Sequence, residues 1–238
     1  MIPWPSADES AGEDDPTSLE DERFDLIYPP EIRELSSIFW TPVRIAAEAA
    51  KLLIDRPDLR VLDVGCGPGK FCLVAAQLTE AHFCGVEQRP ELVAAARAAA
   101  ARLQLSEVEF LLTNVVDTRF ADYDAFYLFN PFEENMFDGH KIDSRVPLSI
   151  ELFKRYTSHV AAQLGLLPRG TRVVTYMGYA DEIPACYTCQ TTLFHDDLKL
   201  WIKTAEYDPA VERLGLRVSR SYRGSLGSFP PRPTRRSF

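Results

Sequence analysis

The chain has 238 residues, of which 46% are hydrophobic and 26% are charged, and its formal net charge is −9. A chain of this length can bury one substantial core, so one main domain is expected. No stretch approaches the roughly 20 apolar residues that a membrane span needs, and the first residues lack the basic and apolar pattern of a secretory signal. From these features we do not expect a membrane protein, and we predict a cytoplasmic location.

Charge divides the chain into three parts. Residues 1–22 contain eight acidic residues and no basic residue, and they are predicted to form a flexible acidic arm. Residues 217–238 contain six arginines and no acidic residue, and they are predicted to form an Arg/Pro-rich tail. The body predicted at 23–216 is itself acidic, because residues 24–216 carry 27 acidic and 19 basic residues. An acidic body disfavours a nucleic acid as partner, since it repels phosphate groups.

The first regular element in chain order is a helix near Thr41 and Pro42. Thr41 is expected to cap this helix, and Pro42 suits its first position. Apolar residues recur at helical spacing between Val43 and Ile54. The pattern predicts that the helix packs on a sheet.

From Arg60 onward, short apolar runs alternate with helical patterns, which predicts parallel strands joined by helical crossovers. The predicted strands lie at 61–64, 83–87, 109–113, 125–129 and 171–177, and the predicted helices lie at about 69–78, 90–103 and 147–164. The apolar character of most strands is typical of a sheet that is covered on both faces. Residues 191–194 and 198–203 are separated by a short polar turn, which predicts a hairpin and adds an antiparallel strand.

The clearest motif is a glycine-rich turn that follows the first predicted strand, Asp63-Val-Gly-Cys-Gly-Pro-Gly69. Its alternating glycines allow a ligand to approach the backbone closely, and the helix that follows presents amide donors. Open α/β sheets bind ligands at this end of a strand. A nicotinamide oxidoreductase is disfavoured, because Lys70 occupies the last position of the G-x-G-x-x-G pattern and Asp63 repels a pyrophosphate.

This motif resembles the first motif of class I, Rossmann-like S-adenosylmethionine-dependent methyltransferases, and the resemblance covers roughly residues 40–204. It implies a doubly wound α/β fold, with a mostly parallel seven-stranded sheet, an antiparallel last strand and helices on both faces. It also implies that S-adenosylmethionine is the cofactor. The residues that would hold its methionine portion are Asp63, Gly65, Cys66, Gly67, Pro68 and Gly69.

Two later positions match the same family in order. Glu87 ends the second predicted strand, where a carboxylate can accept hydrogen bonds from ribose hydroxyls. Asn114 ends the third strand, where the family usually has an acidic residue that accepts from the adenine amino group, and the side-chain oxygen of Asn can take this role. The adjoining Gln88 and Val115 belong to the same predicted cofactor site, and Asp117 is the alternative to Asn114.

The end of the fourth predicted strand carries the candidate catalytic residues. Asn130-Pro131-Phe132 resembles the Asn-Pro-Pro-Tyr loop of amino-group methyltransferases, with one proline missing, and it is also similar to the non-SET histone-lysine methyltransferases. The resemblance implies that Asn130 and Pro131 accept hydrogen bonds from an amine, that Phe132 stacks on it, and that Asn130 also adjoins the cofactor. A nitrogen acceptor in a small molecule or a protein is therefore predicted, while oxygen and carbon acceptors stay open.

Several other side chains near these motifs have two interpretations. Glu133, included among the catalytic candidates, and Glu134 either bind a cationic substrate and accept its proton, or form a solvated acidic turn. Trp40, Tyr28 and Tyr179 either roof the site or belong to the core.

Five cysteines are present, an odd number that favours reduced thiols over a disulfide framework. Cys186 and Cys189 have the spacing of half a zinc site, but no second pair completes it, so no metal site is predicted. Two alternatives to an active methyltransferase remain: a catalytically inactive cofactor-binding regulatory or partner protein, and the disfavoured oxidoreductase. The glycine turn together with Asn130-Pro131-Phe132 favours an active enzyme.

Overall fold

The computed structural model describes residues 19–136, 141–178 and 180–210. The predicted tail, and all but the last four residues of the predicted acidic arm, lie outside these ranges.

A seven-stranded sheet forms the centre of the fold. Its strands are β1 (Arg60–Val64), β2 (His82–Glu87), β3 (Val108–Leu112), β4 (Ala125–Phe129), β5 (Arg172–Tyr176), β6 (Tyr187–Leu193) and β7 (Leu198–Lys203). Their order across the sheet is β3-β2-β1-β4-β5-β7-β6, and the neighbouring pairs are parallel except those that involve β7. The predicted fold is confirmed, and the order reverses between β1 and β4, where open α/β sheets form a ligand-binding crevice.

Helices cover both faces of this sheet. They are α1 (Leu19–Asp25), α2 (Pro30–Arg33), α3 (Ser36–Phe39), α4 (Val43–Leu53), α5 (Lys70–Leu78), α6 (Pro90–Leu103) and α7 (Ile150–Leu166). Buried residues of α4, α5 and α6 form one apolar cluster with Val61, while those of α7 form a second cluster with Leu62. Because neighbouring residues of a strand point to opposite faces, β1 contributes to both clusters and lies at the centre of the core.

The predicted hairpin is present as β6 and β7. Its turn contains three successive residues with left-handed backbone angles, Phe194, His195 and Asp196, with φ of 53°, 53° and 71°. β6 begins at Tyr187, four residues before the predicted start, and its pairing with β7 shifts register between Cys189 and Thr191. Gln190, between these two residues, is the extra residue of a β-bulge, and more exposed and less exposed residues alternate along the whole of β6.

The predicted cap of α4 is wrong. The hydroxyl of Thr41 forms a hydrogen bond of 3.0 Å with the hydroxyl of Tyr127 instead. The first amide of the helix, that of Val43, donates to Oδ1 of Asp21 at 2.8 Å. A carboxylate 22 residues earlier in the chain therefore takes the capping position, which local sequence patterns do not reveal.

The boundary predicted at residue 22 lies inside α1. Asp21 and Asp25 of this helix are buried, and both carboxylates lie 2.7 Å from Nζ of Lys70, whose side chain is 2% exposed. A buried ammonium is costly unless it is paired, so Lys70 holds this acidic segment against the start of α5. The arm that the sequence predicts to be flexible thus ends in an ordered helix.

Replacement of Lys70 by methionine is expected to lower the free energy of unfolding by about 3–5 kcal/mol, because two buried carboxylates lose their counter-ion. Lys51→Met is the matched control, since Lys51 also lies 2.7 Å from a carboxylate, that of Glu48, but is 68% exposed. Its loss should stay below about 1 kcal/mol. Denaturant unfolding of both variants measures the difference, and equal losses would contradict a structural role for the buried pairs.

Candidate active site

The glycine turn after β1 has the conformation that its sequence predicts. Gly65, Gly67 and Gly69 have φ of 73°, 55° and 78°, a region that other residues rarely adopt. A Cβ atom at Gly67 would lie 2.7 Å from the ring of Trp40, and one at Gly65 would lie 2.9 Å from Cβ of Pro131. The glycines are therefore required both by the backbone angles and by close packing.

The amides of this turn are largely used within the protein. Those of Gly65 and Cys66 both donate to the carbonyl of Val86 at 3.0 Å, and that of Gly69 donates to the carbonyl of Cys66 at 2.9 Å. The donors expected to serve a ligand are instead the first amides of α5, which have no acceptor within the helix. The turn itself offers close approach, since Gly65 is exposed.

Asp63 lies at the end of β1 and is 4% exposed. The thiol of Cys72 donates a hydrogen bond to its Oδ2 at 3.5 Å. Burial raises the pKa of Asp63 to about 8, and the nearby carboxylate of Glu87 adds to this rise. The site thus holds a carboxylate that gains from a positively charged neighbour.

A cavity of about 280 Å³, open to solvent, lies beside this carboxylate. Its lining residues are Phe39, Trp40, Thr41, Asp63, Gly65, Cys66, Lys70, Phe71, Tyr127 and Phe129. Trp40 is buried, and its Nε1 donates to the carbonyl of Ile32 at 2.8 Å, so it both covers the turn and belongs to the core. Tyr28 is buried in the core, and Tyr179 lies outside the described residues.

Glu87 ends β2 and is 6% exposed. Its Oε1 accepts from the amides of Gln88 and Arg89 at 2.8 and 2.9 Å, and its Oε2 accepts from the amide of Gly67 at 3.3 Å. Burial raises the pKa of Glu87, whereas the hydrogen bonds and the charge of Arg89 act against this rise. The carboxylate therefore stands directly beside the glycine turn.

Asn114, at the end of β3, is held by three contacts. Its Oδ1 accepts from the amide of Val116 at 3.2 Å, and its Nδ2 donates to Tyr156 and Gln88 at 3.0 and 3.4 Å. Val115 is buried beside it. The side-chain oxygen thus caps the following turn and keeps one lone pair for another donor, whereas the alternative residue Asp117 is exposed.

The chain turns sharply after β4. Asn130 has a left-handed backbone with φ of 41°, and its Nδ2 donates to Oε2 of Glu133 at 3.1 Å. Phe132 is buried and packs on Tyr156 with ring centroids 5.3 Å apart. We call residues 130–133 the Asn130 corner. A strained residue held at the end of a central strand is typical of functional sites.

The Asn130 corner forms one wall of a second cavity, of about 300 Å³. The other lining residues are Met136, Phe153, Asp181 and Glu182. With Glu133, three carboxylates face this space, and burial raises the pKa of Glu182 to about 7. The contact between Pro131 and Gly65 joins the two cavities, so the predicted cofactor and catalytic residues meet at one edge of the sheet.

The two neighbouring glutamates of this region have different surroundings. Glu133 lines the second cavity, whereas Glu134 pairs with Arg89 at 3.0 Å and accepts from the amide of Ile142 at 2.8 Å. Of the two interpretations given to the pair, substrate contact thus suits Glu133, and Glu134 has a structural partner.

Sequence reasoning missed several residues of the site. Asp181 and Glu182 follow β5, and no motif marks them. Gly178, also after β5, has φ of 74°, and a Cβ at this position would overlap Oδ1 of Asn130. A glycine shortly after a predicted strand is the signal that could have pointed to this close approach.

Residues 55–139 match the model of a family described as a methyltransferase domain. The matched range contains the glycine turn, Glu87, Asn114 and the Asn130 corner. Over these residues the chain is similar to methyltransferase domains.

Two curated proteins that are similar to this chain are both named 23S rRNA (uracil(1939)-C(5))-methyltransferase RlmD. The protein from Klebsiella pneumoniae is 34% identical over 141 residues, which cover 58% of this chain and 30% of the relative. The protein from Shewanella woodyi is 43% identical over 68 residues, which cover 29% of this chain and 15% of the relative. The chain thus spans less than a third of the length of these relatives, whose named acceptor is a carbon atom of RNA and not the predicted nitrogen.

Solved structures share the fold. TrmN from Thermus thermophilus has a TM-score of 0.53 and 19% identity, over 76% of this chain and 52% of that protein. A mutant of MtNAS in complex with S-adenosylmethionine has a TM-score of 0.50 and 15% identity, over 79% of this chain and 72% of that protein. At these identities the likeness concerns the fold alone.

Within the part of the chain that the structure describes, no group of three or more His, Cys, Asp or Glu residues is arranged to hold a metal ion. No helix within it combines the length and the apolar character needed to cross a membrane.

Gly178→Ala is expected to destabilise the protein more than Gly170→Ala. Both glycines have positive φ, so each alanine costs about 1–2 kcal/mol in backbone strain. A methyl group at Gly170 meets nothing within 4 Å, whereas one at Gly178 must displace Asn130. Denaturant unfolding compares the two variants, and equal losses would show that the side chain of Asn130 moves away without cost.

Proposed function

We propose that this chain is an S-adenosylmethionine-dependent methyltransferase that methylates a nitrogen atom of a cationic acceptor, in a small molecule or a protein. The observation that carries the proposal is the acidic cavity at the Asn130 corner, joined to the glycine turn by the contact of Pro131 with Gly65.

The residues around the first cavity fit S-adenosylmethionine. The buried carboxylate of Asp63 complements the ammonium group of its methionine part. Gly65 allows close approach to the turn, which continues with Cys66, Gly67, Pro68 and Gly69. Glu87 keeps lone pairs for ribose hydroxyls, and Gln88, Asn114 and Val115 flank the adenine. A pyrophosphate would instead bring no positive charge to Asp63, which argues against a nicotinamide cofactor.

The Asn130 corner orients the acceptor. When bound, S-adenosylmethionine supplies a methyl group that its positively charged sulfur has already activated. The protein therefore contributes mainly alignment. The nitrogen that receives the methyl group donates hydrogen bonds to the side-chain oxygen of Asn130 and to the carbonyl of Pro131. Phe132 supports this geometry from the core.

The carboxylates of the second cavity give the acceptor its charge preference. A protonated amine must lose a proton before its nitrogen can attack. Glu182, with a pKa of about 7, can take up that proton near neutral pH, and Glu133 and Asp181 add negative potential. A neutral or cationic amine is therefore preferred over an anionic acceptor.

An RNA acceptor is the second candidate, and the names of the two curated relatives favour it. The acidic lining of the cavity opposes it, since a phosphate backbone is repelled there. Carbon-5 of uracil is also a poor nucleophile that requires covalent activation, for example by a thiolate. Burial raises the pKa of Cys66, the thiol of the glycine turn, well above its ordinary value and keeps it protonated.

The proposal is tested with methyl-labelled S-adenosylmethionine, the full chain and a fractionated lysate. We expect the label to appear in basic small molecules or in protein, and we expect nuclease not to release it. Label that nuclease releases would establish the RNA candidate instead. Binding of S-adenosylhomocysteine without any transfer would favour the alternative of a cofactor-binding regulatory protein.

Asn130→Ala is expected to reduce label transfer roughly 10²-fold, because the acceptor nitrogen loses its alignment. The affinity for S-adenosylhomocysteine, measured by calorimetry, should change little, since the cofactor is held mainly by residues of β1, β2 and β3. A collapse of this affinity would make Asn130 a cofactor residue and remove the basis for the acceptor assignment.

A further inference from the structure

Arg89 is a buried cation that lies between the end of β2 and the residue that follows the Asn130 corner. It follows Glu87 by two residues and is 4% exposed. An arginine keeps its charge at every physiological pH, so its burial requires negative neighbours. Three carboxylates surround it, from three different parts of the chain.

These three contacts differ in kind. Nη2 donates to both carboxylate oxygens of Glu134, at 3.0 and 3.2 Å. Nε lies 3.3 Å from Oδ1 of Asp143, in the segment that precedes α7. Nη1 lies 3.9 Å from Oε1 of Glu87, which is too long for a hydrogen bond but close enough for electrostatic attraction.

The long contact with Glu87 matters for ligand binding. Arg89 lowers the energy of the ionised carboxylate without occupying its lone pairs with guanidinium hydrogen bonds. Those lone pairs stay available to hydroxyl donors, while the amides of Gly67, Gln88 and Arg89 fix the orientation of the group.

The contact of Arg89 with Glu134 connects Glu87 to the acceptor side of the site. Glu134 follows the Asn130 corner directly and also accepts from the amide of Ile142. Asn135, the next residue, accepts from the amide of Ser149, which caps α7. A change in the position of Arg89 therefore reaches both the end of β2 and the wall of the acidic cavity.

We propose that Arg89 is a positioning residue that joins the cofactor side of the site to the Asn130 corner, by placing its positive charge beside Glu87 and by holding Glu134 and Asp143. The proposal rests on the proposed function, since it assigns Glu87 to the ribose of S-adenosylmethionine. It predicts that Glu134, which lies outside the predicted cofactor set, affects cofactor affinity through Arg89.

The charged and titratable groups that face Glu87 define the expected pH dependence. They are Arg89 on its own segment and, from neighbouring elements, Asp63 and Cys66. Loss of Arg89 removes the positive charge from this group of acids, so the pKa of Glu87 rises further and the carboxyl becomes neutral over a wider pH range. Because ribose binding uses the ionised form, cofactor affinity should then increase more steeply with pH than in the unmodified protein.

The test measures the affinity of the full chain for S-adenosylhomocysteine by calorimetry between pH 6 and 8. We expect Arg89→Met and Glu134→Gln each to weaken binding by roughly five- to tenfold, and the double variant to be little worse than Arg89→Met alone. Arg89→Met should also show the steeper pH profile. Arg89→Lys, which keeps the charge but loses the paired hydrogen bonds to Glu134, should restore the pH profile.

Arg145→Met is the matched control, because Arg145 pairs with Glu91 and links the same segment to the start of α6 at the exposed surface. It should leave affinity unchanged. If the Arg89→Met variant does not fold, Glu134→Gln still tests the proposal, because glutamine is nearly isosteric with glutamate.

The outcomes separate the two proposals. Unchanged affinity in folded Glu134→Gln, or an unchanged pH profile in folded Arg89→Met, would overturn the role of Arg89 and leave the proposed function intact. Failure of the unmodified protein to bind S-adenosylhomocysteine would overturn the proposed function and this inference together.

Discussion

The carboxylate of Asp63, buried at the end of the central strand, is the constraint around which the site is built. Burial raises its pKa to about 8, so its charged form is costly unless a cation is near. Lys70 lines the same cavity, but its ammonium group is paired with Asp21 and Asp25 of α1. The ionised form of Asp63 is thus not stabilised by the neighbouring lysine, and a cationic ligand has the most to gain there.

Buried charged groups also determine the character of the proposed acceptor side. Arg89 is surrounded by Glu87, Glu134 and Asp143, so negative groups outnumber positive ones in this part of the site. The cavity beyond it is lined by three more carboxylates. Under the proposed function, both cofactor and acceptor carry positive charge, and the acidic body of the domain complements them.

Sequence reasoning reached those features that depend on local pattern. Alternating apolar runs located most strands, and the glycine turn with Asp63 and Glu87 marked the proposed cofactor side, because these residues lie at or directly after the ends of strands. Sequence reasoning failed where the contact partner of a residue is remote in the sequence. Asp21 displaced Thr41 as the cap of α4, and Lys70 ordered the end of a segment that looked flexible. Gly178 and Glu182, which follow β5, adjoin the Asn130 corner, although neither belongs to a recognisable motif.

Calorimetric titration with S-adenosylhomocysteine near pH 7, in buffers of different ionisation enthalpy, tests the central claim most directly. A carboxyl with a pKa of about 8 is mostly protonated in the free protein, and a bound ammonium group favours its ionised form. Binding should therefore release close to one proton, affinity should rise between pH 6 and 8, and Asp63→Asn should abolish the release. Tight binding without proton release, unaffected by Asp63→Asn, would contradict the account.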